Sequence, residues 1–176
     1  MAGEKLNEWV GRLPELEDGR RFPAVEREVA EEIYGELLAM DGGVKELVSG
    51  LTAVDDGGDW KVRFLIRGLV NFVGGVGRGE AKGKVEVALV DEAGDRGKEA
   101  AQQAFLLEQV RWISSEGTLE RVAEMLGEED ARVVDAAAAV IVATGGEAAK
   151  VALRAALGRV AAERRGVVEN ALRQVG

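Results

Sequence analysis

The chain has 176 residues, 47% of them hydrophobic, and a formal net charge of −9. This length and composition suit one continuous domain with a substantial core, and they exclude a disordered tail. The acidic charge argues against a nucleic-acid partner, because affinity for nucleic acid depends on clustered lysine and arginine.

The chain contains no cysteine and no histidine. Thiolate nucleophiles, cysteine-ligated zinc and the commonest general base are therefore excluded. Chemistry would depend on carboxylates, hydroxyls, lysine, arginine and the single tyrosine, Tyr34. We therefore predict a protein that is not an enzyme and that holds no cofactor or metal. Because no signal-peptide core and no run of eighteen apolar residues occurs, we expect a cytoplasmic protein without membrane contact.

Helical spacing of apolar residues recurs along the whole chain. It begins after Pro23, which suits the first turn of a helix. The pattern predicts helices over residues 23–40, 44–54, 60–73, 100–113, 118–126, 130–144, 147–157 and 164–175. Residues 85–90 alternate as a strand would, but their neighbours favour a short helix. Two tryptophans, Trp60 and Trp112, are predicted to pack in the core.

The glycine-rich stretch 74–84 is a candidate phosphate loop. A P-loop would need glycine in place of Arg78 and serine or threonine in place of Val85. A dinucleotide-binding loop would need glycine in place of Glu80 or Lys82. Both tests fail, so we predict a flexible loop between helices.

Residues 136–143 carry no polar side chain and are followed by Thr144-Gly145-Gly146. Such a run is compatible with a buried strand before a nucleotide-binding turn, or with a core helix that ends at glycine. An internal repeat favours the helix. From Asp59 to Gly74-Gly75 the offsets are 15 and 16, and from Asp130 to Gly145-Gly146 they are again 15 and 16. The carboxylates at 55–59 and 128–130 are therefore interpreted as helix caps instead of metal ligands.

This repeat resembles the HEAT-repeat family, and in particular the short bacterial HEAT-like repeats of the phycobilisome-lyase type. The resemblance lies in two sets of residues: Asp59, Val62, Arg63 and Gly74-Gly75, and Asp130, Val133, Ala136-Ala137 and Gly145-Gly146. Val134 departs from the pattern, because it stands where the first unit has Arg63. The resemblance implies an all-α fold, a short right-handed α-solenoid of about four helix pairs. The predicted units are 43–75, 76–117, 118–146 and 147–176, after an N-terminal helical cap at 1–42.

In HEAT-like arrays the second helix of each pair lines the concave surface, which binds protein partners. The resemblance therefore implies an interaction scaffold or adaptor. Its candidate partner-binding residues lie on the predicted inner helices and are Arg63, Arg67, Asn71, Gln102, Gln109, Arg132 and Asp135. Three of them, Arg63, Arg67 and Asn71, recur every four residues and form one polar stripe.

Other functions are compatible with the same resemblance. HEAT-like proteins include some similar to bilin lyases and some that excise damaged DNA bases, so an enzyme or an accessory subunit is one alternative. A repeat segment of a larger multidomain protein is another. A deep pocket lined by buried carboxylates and Tyr34 would favour chemistry, whereas a broad shallow face would favour the scaffold.

Overall fold

A computed structural model describes residues 2–15, 24–52 and 60–175. Within these ranges the chain is all-α, as predicted, and no residue lies in a strand. The α-helices are α1 Ala2–Gly11, α2 Arg27–Ala39, α3 Gly43–Ser49, α4 Trp60–Val73, α5 Gly79–Ala93, α6 Ala100–Val110, α7 Leu119–Glu124, α8 Ala131–Thr144, α9 Gly146–Leu157 and α10 Ala162–Gln174. Short 3-10 turns at Glu116–Thr118 and Met125–Gly127 flank α7. The predicted roles of Pro23, Asp55, Asp56 and Asp59 lie outside the described residues.

The helices pack in two layers that follow their order in the chain. In one layer α2 contacts α4, α4 contacts α6, α6 contacts α8, and α8 contacts α10. In the other layer α1 contacts α3, α3 contacts α5, and α7 contacts α9, while α5 meets the turn that precedes α7. A single set of buried apolar residues runs between the layers, from Trp9 to Val175. No helix in the described ranges combines the length and the apolar character needed to cross a membrane.

The apolar run 136–143 lies within α8, so the strand interpretation is wrong. At the start of α8, an Asp130 carboxylate oxygen accepts a hydrogen bond from the backbone N–H of Arg132 at 2.9 Å. At its end, Gly145 and Gly146 have φ angles of 68° and 74°. This left-handed conformation favours glycine and stops the helix. Gly145 therefore ends α8 and Gly146 begins α9, so the two glycines do not form a phosphate loop.

The predicted loop at 74–84 is shorter than expected. Helix α5 begins at Gly79, so only residues 74–78 connect the two helices. A Glu80–Lys84 ion pair of 3.0 Å spans one helical turn, and Val85 and Leu89 are buried. These contacts compensate for the weak helix propensity of the local glycines.

The tryptophan predictions were partly wrong. Trp112 is 74% exposed, because α6 ends at Val110 and the following turn places Ile113 in the core instead. Trp60 is half-buried. The fully buried tryptophan is Trp9, which is 1% exposed.

Polar contacts attach α1 to its neighbours. The Trp9 indole N–H donates to Glu36 at 3.0 Å, and Arg12 forms ion pairs with Glu36 at 2.7 Å and Glu32 at 2.9 Å. Hydrogen bonds from Arg12, and a weaker one from Trp9, lower the pKa of Glu36. The buried Lys61 ammonium of α4 donates to the Leu13 carbonyl oxygen at 2.9 Å. The N-terminal residues are therefore bound to both α2 and α4.

Glu86 is a buried carboxylate that links α5 to the α6–α7 connection. It is 2% exposed. It accepts hydrogen bonds from the Ser115 backbone N–H at 2.7 Å, from the Ser115 hydroxyl at 2.7 Å and from the Thr118 hydroxyl at 2.6 Å. Three donors satisfy this buried group, which would otherwise be strongly destabilising.

Replacement of Glu86 tests this link. Glu86→Leu should lower the free energy of unfolding by about 3 kcal/mol, because the Ser115 N–H and the Thr118 hydroxyl lose their acceptor. Glu86→Gln should cost only about 1 kcal/mol, because one side-chain oxygen still accepts. Urea denaturation measures both. The exposed control Glu108→Leu should change stability by less than about 0.5 kcal/mol. Equal losses for Glu86→Leu and Glu108→Leu would contradict a structural link.

The Asp130 cap predicts a pH dependence. A side-chain hydrogen bond from Arg132, followed by its backbone N–H, lowers the pKa of Asp130 from 3.8 to about 2. A lowered pKa means that the cap contributes stability above pH 3.8 and loses it as the pH falls towards 2. Carbon-13 NMR titration of this carboxyl group should give a midpoint near 2. Arg132→Ala should raise that midpoint, whereas Arg173→Ala should leave it unchanged. An unchanged midpoint in Arg132→Ala would contradict the assigned cause.

Candidate functional site

Helix α4 is cationic in an acidic protein. Its sequence contains Lys61, Arg63 and Arg67 and no acidic residue. Lys61 points inward, is 5% exposed, and forms an ion pair with Glu15 at 2.6 Å. The cationic side chains of α4 that reach the surface are therefore those of Arg63 and Arg67.

Both arginines lie over one aromatic ring. The guanidinium carbons of Arg63 and Arg67 lie 4.5 and 5.3 Å from the ring centroid of Phe105 on α6. Arg63 also donates to the Thr52 carbonyl oxygen at 3.4 Å. Arg67 is exposed and has no ion pair with any residue in the described ranges. The Phe105 ring, itself 6% exposed, thus holds two cationic groups side by side.

Two adjoining pockets lie along this face of α4. A pocket of about 340 Å³ is lined by Trp60, Arg63, Phe64, Arg67, Gly68 and Asn71. A second pocket, of about 560 Å³, lies between α2 and α4 and continues to Phe72 and Arg78. The two share Phe64, Gly68 and Asn71. We call this continuous depression, from Trp60 to Phe72, the α4 groove.

Arg78 supplies a further charge at the Phe72 end of the groove. Its guanidinium carbon lies 3.4 Å from the centroid of the Phe72 ring, and its Nη1 donates to the Phe72 carbonyl oxygen at 2.6 Å. These contacts fix the guanidinium against the groove wall. Because Arg67 and Arg78 both line the groove, it has an aromatic floor and cationic edges.

Tyr34 lies in the wall between α2 and α4. It is 5% exposed, and its ring centroid is 5.4 Å from that of Phe72. Burial raises the pKa of Tyr34 to about 12, so the phenol stays neutral at physiological pH. No described residue accepts a hydrogen bond from its hydroxyl group. The group is thus a buried donor at a pocket, and its raised pKa makes it a poor base or nucleophile.

Gly68 allows Tyr34 to reach this position. A β-carbon built on Gly68 would lie 1.7 Å from the Tyr34 hydroxyl oxygen, well inside van der Waals contact. Only glycine permits this approach of α2 to α4 without displacing the buried ring. Gly68 also lines both pockets, so the hydroxyl lies where the pockets meet.

The structure brings together three of the seven candidate residues, Arg63, Arg67 and Asn71, in the first pocket. Gln102 and Gln109 are each 7% exposed. Their side chains donate to the backbone carbonyl oxygens of Leu51 at 2.8 Å and Phe105 at 3.3 Å. These two glutamines therefore do not form part of the exposed face.

The remaining candidates, Arg132 and Asp135, lie on α8. Both are exposed, and neither lines the α4 groove. The Arg132 guanidinium binds the Asp130 carboxylate at 2.8 Å, so it belongs to the helix cap. Val134, the counterpart of Arg63, is fully buried. The polar stripe of α4 is thus not repeated on α8.

Sequence reasoning missed the aromatic part of the site. The sequence pattern singled out none of Phe64, Phe72 and Phe105 as part of a site. Tyr34 does line a pocket, but the only carboxylate among the lining residues is Glu31, which is half-buried and forms an ion pair with Arg27 at 2.7 Å. Among the described residues, no group of three acidic side chains could hold a metal ion.

Comparison with known proteins found no matching family model. It also found no matching curated protein.

Gly68 provides a test of the groove geometry. Gly68→Ala should lower the free energy of unfolding by about 1–3 kcal/mol, because the new methyl group overlaps the buried Tyr34 hydroxyl. Gly83→Ala, within α5 and with no atom near the added carbon, should raise it by about 0.5–1 kcal/mol. Thermal and urea unfolding compare the pair. Equal stabilisation by both substitutions would show that α2 and α4 lie further apart than the contact between Tyr34 and Gly68 requires.

Proposed function

We propose that this protein is a non-enzymatic interaction module that binds an acidic protein segment through the α4 groove. One observation carries the proposal. Arg67 is exposed above an aromatic ring and has no ion pair with the described residues, although the whole chain has a net charge of −9. An exposed cation of this kind, beside apolar pockets, suits the mixed aromatic and charged chemistry of protein interfaces.

We further propose that the scaffold is a short right-handed α-solenoid of HEAT-like repeats. The two-layer packing supports this architecture, because each helix except α5 contacts the second helix along the chain, and α5 contacts the turn that precedes α7. Within the described residues, spans 43–75, 76–117 and 118–146 each contain two complete α-helices, 147–176 contains α10 and all but the first residue of α9, and 1–42 contains α1 and α2. In addition, α4 and α8 both have 14 residues and begin 71 positions apart.

The mechanism of binding would be electrostatic attraction followed by docking on a preformed surface. The cationic edge of the groove would attract an acidic segment and increase its association rate. The guanidinium groups of Arg63 and Arg67 already lie on Phe105, and Arg78 lies on Phe72, so little side-chain freedom remains to be lost. Such preorganisation supports a binding role without a conformational change.

An enzyme or an accessory subunit is the alternative, and the groove supports it less well. The neutral phenol of Tyr34 and the Glu31–Arg27 ion pair leave this pocket without an evident general base. An isolated repeat segment of a larger protein would use the same groove, so the proposal for the site does not depend on that choice.

Charge reversal at Arg67 tests the proposal. Arg67→Glu should reduce the recovery of protein partners about tenfold in quantitative affinity purification, because it replaces an attractive charge by a repulsive one. The matched control is Arg165→Glu, an exposed position on α10 that changes the net charge equally. Unchanged recovery with Arg67→Glu would rule out the groove. Equal loss with both variants would indicate a non-specific effect of charge.

A further inference from the structure

The α4 groove also indicates what the partner segment contains. We propose that the pocket between α2 and α4 receives one aromatic side chain of the acidic segment, and that the Tyr34 hydroxyl donates a hydrogen bond to an acceptor of that segment. This inference rests on the proposed function, and it adds a specificity-determining contact to it.

The buried hydroxyl group of Tyr34 supports the proposed hydrogen bond to the partner. Tyr34 is 5% exposed, and its hydroxyl group has no acceptor among the described residues. Buried polar groups in folded proteins are nearly always hydrogen-bonded. The hydroxyl lies beside Gly68, which lines both pockets of the groove. A ligand in the pocket can therefore supply the acceptor that the described residues do not.

The shape and chemistry of the pocket walls support the proposal that an aromatic side chain enters the pocket. Phe64 and Phe72 are only half-buried, and the Val76 side chain at the pocket edge is fully exposed. Leaving such apolar surface in water is unfavourable. An aromatic ring between Phe64 and Phe72 would cover this surface, with tilted ring contacts like that already formed by Tyr34 and Phe72. A pocket of about 560 Å³ has room for such a ring and the backbone that carries it.

The cationic residues around that pocket support the proposal that the partner segment is acidic. Neither Arg67 nor Arg78 has an ion pair with a described residue, and both line the groove, whereas Arg27 is neutralised by Glu31. Acidic residues on either side of the aromatic residue in the partner segment would form ion pairs with these two guanidinium groups. The expected ligand is therefore one aromatic residue flanked by aspartate or glutamate.

Selection from a displayed library of random peptides on the full chain tests this expectation. Enriched peptides should contain an aromatic residue flanked by acidic ones. For a synthesised enriched peptide, fluorescence anisotropy should show about 30-fold weaker binding when the aromatic residue is replaced by alanine. Tyr34→Phe should weaken binding about fivefold, because one hydrogen bond is lost.

The stability of Tyr34→Phe separates binding from a structural role. The hydroxyl has no acceptor among the described residues, so its removal should leave the melting temperature unchanged or raise it. Asn71→Trp, at an exposed position that lines both pockets, should block the groove and abolish binding, whereas Arg165→Glu should bind normally. A lower melting temperature with unchanged affinity in Tyr34→Phe would overturn the assigned hydrogen bond.

The outcomes distinguish this inference from the proposed function. If acidic peptides without an aromatic residue are enriched and bind through Arg67, the aromatic anchor is wrong and the acidic partner stands. If enriched peptides are not acidic, or if Arg67→Glu binds them as well as the wild type, both proposals fail. Failure to enrich any peptide overturns the proposal that the pocket receives an aromatic side chain. A dimer in light scattering that Arg67→Glu dissociates would identify a second copy of this chain as the occupant and would also overturn it.

Discussion

Helix α4 must be buried on most of its circumference, and the neighbouring helices are arranged accordingly. Its apolar side chains Val62, Leu65, Ile66, Leu69, Val70 and Val73 are at most 6% exposed. Burial of each contributes on the order of 1.5–3 kcal/mol, so α4 needs neighbours on several sides. Helices α2, α3, α5 and α6 provide them. The exposed part of α4 is the strip that carries Arg67 and Asn71, so the groove lies on the outer side of a helix that is otherwise buried in the core.

Local signals in the sequence were sufficient for some elements and insufficient for others. Helix α8 was predictable because its cap, Asp130, and its stop, Gly145, act within one turn of its ends. The start of α5 was not, because glycine weakens local propensity while distant packing of Val85 and Leu89 stabilises the helix. The exposure of Trp112 follows from where α6 ends, since a shift of the helix end changes which side chain faces the core.

In the candidate site, too, some features could be predicted from local sequence signals and others could not. The spacing of Arg63, Arg67 and Asn71 predicted one polar stripe, and these three side chains lie along one pocket. The same reasoning failed for Gln102 and Gln109, because a polar side chain can also be buried when it bonds to backbone carbonyl oxygens. The contacts of Phe105 with the arginines, and of Tyr34 with Gly68, join residues that are far apart in the chain. Periodicity within one helix contains no information about such pairs.

The Lys61–Leu13 hydrogen bond has a mechanical consequence. It joins two residues separated by 48 positions, and α2 and α3 lie between them in the chain. The hydrogen bond acts as a reversible cross-link between the two ends of the chain segment that contains α2 and α3. Tension applied to α1 would reach α4 through Lys61, and it would reach α2 through the contacts of Trp9 and Arg12. The helix that carries the groove would thus share with α2 any load applied to the N-terminal residues, although 48 positions of the chain separate Lys61 from Leu13.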